Sequence, residues 1–271
     1  MSTRSVPDAL QAWFAAHPRF ALAFSGGCDS AYLFYAAAVC GADFAACYVK
    51  SAFQPAFELE DARRLAHGLG REIDVIELDV LSDAQVRANP KERCYFCKRR
   101  IFSAIGDRAR ALGHDLVIDG TNASDDAADR PGMRALRQLR VESPLRSCGI
   151  TKAEVRALSR EAGLFTWNKP AYACLATRVP AGTSIDAETL QRIERAEDAL
   201  AKLGFSDFRA RIAGGGVRLE LTEGDMALLM ERRAEVCAAL EEDFDGIALD
   251  LRPRAGLQAE LKRMDMEKNA I

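Results

Sequence analysis

No stretch of the 271 residues reaches the roughly 18 consecutive apolar positions that a membrane-spanning helix needs, so no membrane partner is expected. The opening segment is broken by Pro7, Asp8, His17 and Pro18, and it lacks a charged start followed by a long apolar core. No secretory signal is therefore expected, and the expected compartment is the cytoplasm. Charge of one sign is also missing. Lys and Arg number 37 against 40 Asp and Glu, a net of −3, which argues against binding long nucleic acid and leaves room only for a local basic pocket. Histidine is scarce: His17, His67 and His114 read as surface or packing residues. A single CxxC has no second pair beside it, so a closed four-ligand zinc site is not legible. Internal repeats and low-complexity tracts are absent as well. With 19 Gly and 9 Pro the composition is ordinary globular usage, excluding collagen-like and wholly disordered classes. At roughly 150 residues per domain, the length suggests one large domain or one large and one small.

What is present begins with alternation. Residues 20–24 (FALAF), 44–49, 73–78 and 116–118 read as strands, and residues 31–39, 58–69 and 96–112 as helices between them. That order predicts an α/β fold, a parallel sheet covered by helices, with ligands held beyond the carboxyl ends of its strands. Thr151 and Glu154 form a capping-box pattern that opens a helix ending near Gly163. Pro170 and Pro180 bracket an irregular segment. Beyond it, the spacing predicts a helix over 186–203, strands over 208–212 and 217–221, a helix over 226–240 and a strand over 247–251. These make a smaller C-terminal α+β domain, so the expected domains are 1–183 and 184–271.

The segment Ser25, Gly26, Gly27, Cys28, Asp29 and Ser30 joins the first predicted strand to the first predicted helix. Glycine removes the Cβ that would block close approach, and successive amides at a helix N-terminus converge on an anion such as phosphate. The ordinary alternative is a small polar turn. The GK[ST] ending of a Walker loop is missing, and the pattern SGGxDS resembles instead the PP-loop of ATP pyrophosphatases, with Cys28 in the free position. Asp119, Gly120, Thr121 and Asn122 follow another strand and reach the same rim. A plain polar turn would look alike, but beside a PP-loop this is where such proteins hold the nucleotide.

Eight cysteines without a secretory signal point to buried thiols, a metal or a catalytic thiol, not to a disulfide framework. Cys94 and Cys97 form the CxxC, flanked by Lys91, Arg93, Lys98, Arg99 and Arg100, whose positive charge lowers thiol pKa and favours thiolate chemistry or metal ligation. A redox dithiol is the simpler reading of the pair. Cys174 lies in PAYACLATR between two prolines; a lone loop cysteine is more often structural than catalytic, and its neighbours decide the matter.

Those neighbours belong to a series. RCYFCK, DGTNASDDAADRPGMRAL, ESPL, GITKAEVRALSREAGL, NKPAYACLATRVP and FRARI, in this order across residues 20–221, resemble the LarE family of ATP-dependent sulfur transferases of nickel-pincer nucleotide biosynthesis. The resemblance implies adenylation of a carboxylate of pyridinium-3,5-biscarboxylic acid mononucleotide, with release of pyrophosphate, and replacement of the adenylate by sulfur to give a thiocarboxylate. It implies ATP with Mg²⁺ as cofactors, ATP binding by Ser25, Gly26, Gly27, Asp29, Ser30, Gly120, Thr121 and Asn122, and catalysis by Asp29 and Cys174. One branch of the family uses the cysteine matching Cys174 as a sacrificial sulfur donor, left as dehydroalanine. Another holds a 4Fe-4S cluster on that cysteine and a CxxC. Since Cys94, Cys97 and Cys174 are all present, the cluster branch is favoured, three thiolates leaving one iron open for sulfide. A sacrificial or persulfide-bearing Cys174 stays as the alternative.

The substrate's phosphate and carboxylates call for guanidinium groups. Arg178, Arg209 and Arg211 are the candidates, a solvated charged face being the plain alternative for the last two, and Lys98 suits ATP phosphates or the substrate. Expected partners are a small nucleotide substrate, sulfide or another sulfur donor, and further copies of the chain, since family members are oligomers. Departures fall at the substrate end: Thr177 stands where the family usually shows Ser, and residues 212–216, IAGGG, lack the expected His. Another PP-loop enzyme, a tRNA thiolase or an ammonia-dependent ligase, is the competing activity. A nucleotide-binding or iron–sulfur sensor is the competing non-enzymatic role.

Overall fold

The computed structural model describes residues 6–125 and 131–257. Helix α1 (Asp8–Ala16) leads into strand β1 (Arg19–Ala23), helix α2 (Cys28–Val39), strand β2 (Asp43–Lys50), helix α3 (Ala56–Gly68) and strand β3 (Asp74–Glu77). The short α4 (Ala84–Arg87), the long α5 (Arg93–Ala111), strand β4 (Val117–Ile118) and helices α6 (Pro131–Gln138), α7 (Pro144–Ser147) and α8 (Lys152–Glu161) follow. Strands β1 to β4 pair in parallel in the order β3-β2-β1-β4, the α/β sheet the alternation predicts.

The period of two along each strand decides which helices cover which face. On β1, Phe20 and Leu22 pack with α1, α2, α3 and α8, whereas Ala21 turns to the opposite side. On β2, Ala46 and Tyr48 join the first group, and Cys47 and Val49 meet Phe102, Ile105 and Ala109 of α5 and Leu136 of α6. Both faces are thus covered, which is what a parallel sheet requires. Helix α2 is buried almost all round, from Ala31 to Ala37, so its first turn is held firmly. The capping box at the head of α8 is present: Thr151 accepts from the Glu154 amide, and the Glu154 carboxylate accepts from the Thr151 amide at 2.8 Å.

The second set of elements is α9 (Ala187–Lys202), β5 (Arg209–Ala213), β6 (Gly216–Glu220), α10 (Glu223–Glu231), α11 (Arg233–Leu240) and β7 (Ile247–Leu249). Strands β5 and β6 form an antiparallel hairpin, and β7 adds to β6 in parallel. The single helix expected over 226–240 is two, because Arg232 at φ −101°, ψ 18° leaves helical geometry. The break lets Leu229 of α10 and Val236 and Leu240 of α11 all enter one core with Leu200, Phe208, Val217 and Leu219.

The chain divides into two compact units, one up to Val86 together with Lys91–Ala171, the other Arg87–Pro90 with the residues from Tyr172. The boundary expected after residue 183 therefore moves earlier. The reason is long-range bonding within the second unit: Arg178 pairs with Glu197, Arg211 bonds the Thr177 carbonyl, and the Asn89 amide donates to the carbonyls of Val179 and Pro180. Among the described residues no helix is long and apolar enough to cross a membrane.

Candidate functional site

The loop between β1 and α2 is shaped by glycine for two separate reasons. Gly26 sits at φ +73°, in the left-handed region, and a Cβ there would lie 3.2 Å from the Glu58 carbonyl oxygen of α3. Ser30, in the first turn of α2, ties the loop together: its hydroxyl donates to the Gly27 carbonyl at 3.1 Å and accepts from the Ser25 amide at 3.3 Å. The N-terminus of α2 is thereby aimed across the loop with its first amides lacking intrahelical partners.

The loop after β4 is braced on a buried carboxylate. Asp119 accepts from the hydroxyls of Thr121 and Ser143, each at 2.6 Å, and from the Thr121 amide at 3.2 Å. Gly120 presses directly on the first loop, since a Cβ there would stand 2.8 Å from the Ser30 nitrogen. Beside it, the Asn122 side-chain amide donates to Asp29 Oδ1 at 3.2 Å, and Lys152 Nζ pairs with Asp29 Oδ2 at 2.5 Å.

These loops wall a cavity of about 340 Å³, lined by Ser25, Gly27, Asp29, Ser30, Asp119, Gly120 and Thr121 on its polar side. Its other walls are Cys47, Tyr48 and Val49 of β2 and Ile101, Phe102 and Ile105 of α5, with Lys98 and Gln54 also reaching it. The volume lies in the small-molecule range, roughly 300–1,000 Å³. Burial pushes the Cys47 thiol up to about 11, with Asp74 adding to the shift, so this wall is neutral and apolar. Burial likewise raises Cys28, the free position of the loop, whose Sγ lies 3.9 Å from Ser159 Oγ. It packs behind the loop.

Of the residues expected from sequence to bind nucleotide, Ser25, Gly27, Asp29, Ser30, Gly120 and Thr121 meet at this cavity. Gly26 and Asn122 support it from α3 and from the Asp29 carboxylate. Lys152 reads in the sequence only as part of a helix cap, and nothing there ties it to Asp29. Gln54 and Ser143 carry no sequence signal at all.

Cys94 and Cys97 lie in the first two turns of α5, Cys94 exposed and Cys97 buried. The neighbouring Arg93 is buried over the Phe53 ring and brings Nη2 to 3.8 Å from Cys94 Sγ. Cys174 belongs to the second unit, where its carbonyl anchors a short turn. Its carbonyl accepts from the Thr177 amide at 2.9 Å and the Thr177 hydroxyl at 2.8 Å. Arg178 is completely buried at 0 % exposure, its Nε and Nη2 on Glu197 at 2.8 and 3.0 Å and its Nη1 on the Ala173 carbonyl at 2.6 Å. Glu197 also receives the Tyr172 hydroxyl at 2.5 Å and the Ala210 amide at 3.0 Å. Arg178, expected to meet the substrate, makes these bonds to Glu197 and to the Cys174 loop.

Arg209 and Arg211 lie two apart on β5 and so share a face. Arg209 is buried, and burial together with the charges of Arg178 and Arg254 lowers its pKa to about 10. Arg211 is half-buried and pairs with Glu220 at 2.6 Å. Among the described residues no group of three or more His, Cys, Asp or Glu is placed to hold a metal ion.

A helix-covered parallel sheet with a glycine-rich loop between β1 and α2, facing a second loop beyond β4, defines an α/β protein of the PP-loop type. No family model matches the sequence. Curated relatives do. The chain is 38 % identical to an uncharacterized protein of Synechocystis sp. over 213 residues, 78 % of this chain and 80 % of that one. It is 33 % identical to the pyridinium-3,5-bisthiocarboxylic acid mononucleotide synthase of Lactiplantibacillus plantarum over 238 residues, 86 % of each chain. An uncharacterized protein of Methanocaldococcus jannaschii is 27 % identical over 231 residues, 85 % of this chain and 88 % of that one. The chain belongs to the LarE family of pyridinium-3,5-bisthiocarboxylic acid mononucleotide synthases.

Proposed function

We propose that the protein is an ATP-dependent sulfur transferase that adenylates a carboxylate of pyridinium-3,5-biscarboxylic acid mononucleotide and converts it to a thiocarboxylate. The observation that carries this reading is the meeting of the 25–30 and 119–122 loops at one cavity, beyond the carboxyl ends of β1 and β4, with the α2 N-terminus and Lys98 lining it. In this reading the triphosphate rests on the α2 N-terminus, whose free amides and dipole favour anions. Mg²⁺ bound with ATP would neutralise the charge on the departing pyrophosphate, and Asp29 is the carboxylate that would hold it.

A substrate carboxylate oxygen attacks the α-phosphorus, the bond to the β-phosphate oxygen breaks, and pyrophosphate leaves. The acyl carbon now carries AMP, a far better leaving group than oxide. Lys98 offsets the charge that grows on the phosphates. The Cys174 thiolate then attacks the acyl carbon and AMP departs with the C–O electron pair, leaving a thioester. Loss of the Cys174 Cα proton and cleavage of its Cβ–Sγ bond release the thiocarboxylate and leave dehydroalanine. Arg209 and Arg211 are the groups suited to the substrate's phosphate.

Thiolates are the donor class of a 4Fe-4S cluster. Cys94, Cys97 and Cys174 are the residues that would hold it, and three thiolates would leave one iron open for sulfide. The last two steps above describe the other donor, a sacrificial Cys174. Iron and acid-labile sulfide after anaerobic reconstitution decide between the two donors: about four iron per chain, lost in Cys94→Ala, is expected for the cluster, and a content near zero would leave Cys174 as the sacrificial donor.

The activity itself is tested by incubating the protein with ATP, Mg²⁺ and the pyridinium dicarboxylate mononucleotide. Pyrophosphate and AMP should appear only when that mononucleotide is present, and the product should gain the mass of a sulfur-for-oxygen exchange. Equal pyrophosphate release without any carboxylate would overturn the reading.

A further inference from the structure

The sheet order divides the cavity. The loops after β1 and β4 are neighbours and form its anion-binding side, whereas β2 lies on the other side of β1 and contributes the apolar wall of Cys47, Tyr48 and Val49. The segment directly after β2 carries Gln54, which lines the cavity on that side.

The orientation of the Gln54 amide is fixed by donors that can only donate. The Ser51 backbone N–H donates to Gln54 Oε1 at 3.1 Å, so the atom facing it must be the oxygen. Ser51 Oγ accepts from the Phe53 N–H at 3.2 Å, which leaves its own hydrogen for Gln54 Oε1, at 2.7 Å. Ser51 is itself buried at 6 % exposure, and the Gln54 carbonyl receives Lys50 Nζ. Oε1 thus holds two donors, and Nε2 has no hydrogen-bond partner among the described residues. Of the two ends of the Gln54 amide, the donor Nε2 is the one left for a ligand.

We infer that Gln54 is a specificity residue for the nucleotide base, donating from Nε2 to an unprotonated ring nitrogen of adenine. This rests on the reading that the cavity binds ATP. Adenine suits such a donor because N1 and N7 both accept on accessible edges. A carboxylate in place of the amide would keep its contact with Ser51 and turn a second acceptor on the same nitrogen.

The test measures affinities of the full chain by calorimetry for α,β-methylene-ATP, its 1-deaza and 7-deaza analogues, and inorganic tripolyphosphate. Gln54→Leu should weaken α,β-methylene-ATP about tenfold, and Gln54→Glu should weaken it further, both leaving tripolyphosphate unchanged, which also reports an intact fold and anion site. One of the two deaza analogues should lose a similar factor against wild type and lose nothing further in Gln54→Leu. If α,β-methylene-ATP binds wild type and Gln54→Leu equally, or neither deaza analogue is weakened, this inference fails while ATP binding stands. If neither α,β-methylene-ATP nor tripolyphosphate binds wild type, the reading of the cavity fails first.

Discussion

Gly120→Ala is expected to weaken ATP binding on the order of a hundredfold, about 2.7 kcal/mol, and to abolish pyrophosphate release at ordinary ATP concentrations. The added Cβ would stand 2.8 Å from the Ser30 nitrogen, 3.1 Å from Ser30 Cα and 3.2 Å from the Asp29 carbonyl carbon. All three are backbone atoms in the first turn of α2, a helix buried nearly all round, so no side chain can swing aside. The two loops must separate, and overpacking of this kind costs about 1–3 kcal/mol in stability as well. Separation also carries Asn122 away from Asp29, and that contact is what joins the second loop to the first. Gly68→Ala is the control, because nothing lies within 4 Å of the place its methyl would take and the residue is itself exposed at the end of α3. Calorimetric titration with ATP, alongside thermal unfolding, checks the pair. Wild-type affinity in Gly120→Ala would remove the two-loop site as the place of nucleotide binding.

Cys174→Ala should separate the two halves of the reaction. Thiocarboxylate formation is expected to fall by roughly a thousandfold or more, since no other group replaces the sulfur nucleophile, while pyrophosphate is still released. The structural ground is a set of loop bonds that run through atoms other than Sγ. The Cys174 carbonyl takes the Thr177 amide and hydroxyl, and Arg178 secures the preceding carbonyl from a carboxylate that binds four donors. Removing Sγ touches none of these bonds. Quantifying pyrophosphate and product mass in one reaction mixture gives both readouts. Retained thiocarboxylate yield would exclude Cys174 from sulfur delivery, and loss of pyrophosphate as well would tie it to the adenylation step.

The elements most legible in the sequence are those whose burial is simple. FALAF and residues 44–49 read as strands because both their faces are covered, and α2 as a buried helix because it is apolar all round. SGGCDS and DGTN stand out by glycine at strand ends, and each of these loops has a steric reason for its glycine. Contacts that cross the chain leave no such trace. Lys152 reaches Asp29 over 123 positions, and Arg178 reaches Glu197 over 19; no period or local propensity encodes either. The same holds for the early unit boundary, set by one ion pair and long-range hydrogen bonds and not by a change of pattern. The break at Arg232 is hidden because neither glycine nor proline marks it; tertiary packing of Leu229 and Val236 overrides a sequence that is locally helical throughout.

The capping box at Thr151 governs more than the start of a helix. Lys152 is the first residue of α8, and its backbone N–H is also tied to Ser124 Oγ at 3.0 Å. A slip of one residue in where α8 begins would turn the next side chain by about 100° around the axis and shift it by about 1.5 Å along it. Lys152 Nζ would then sweep off Asp29 altogether. The cap therefore acts as an angular index mark, setting the rotational phase of a helix so that one ammonium group, and no neighbour of it, points at the carboxylate beside the cavity.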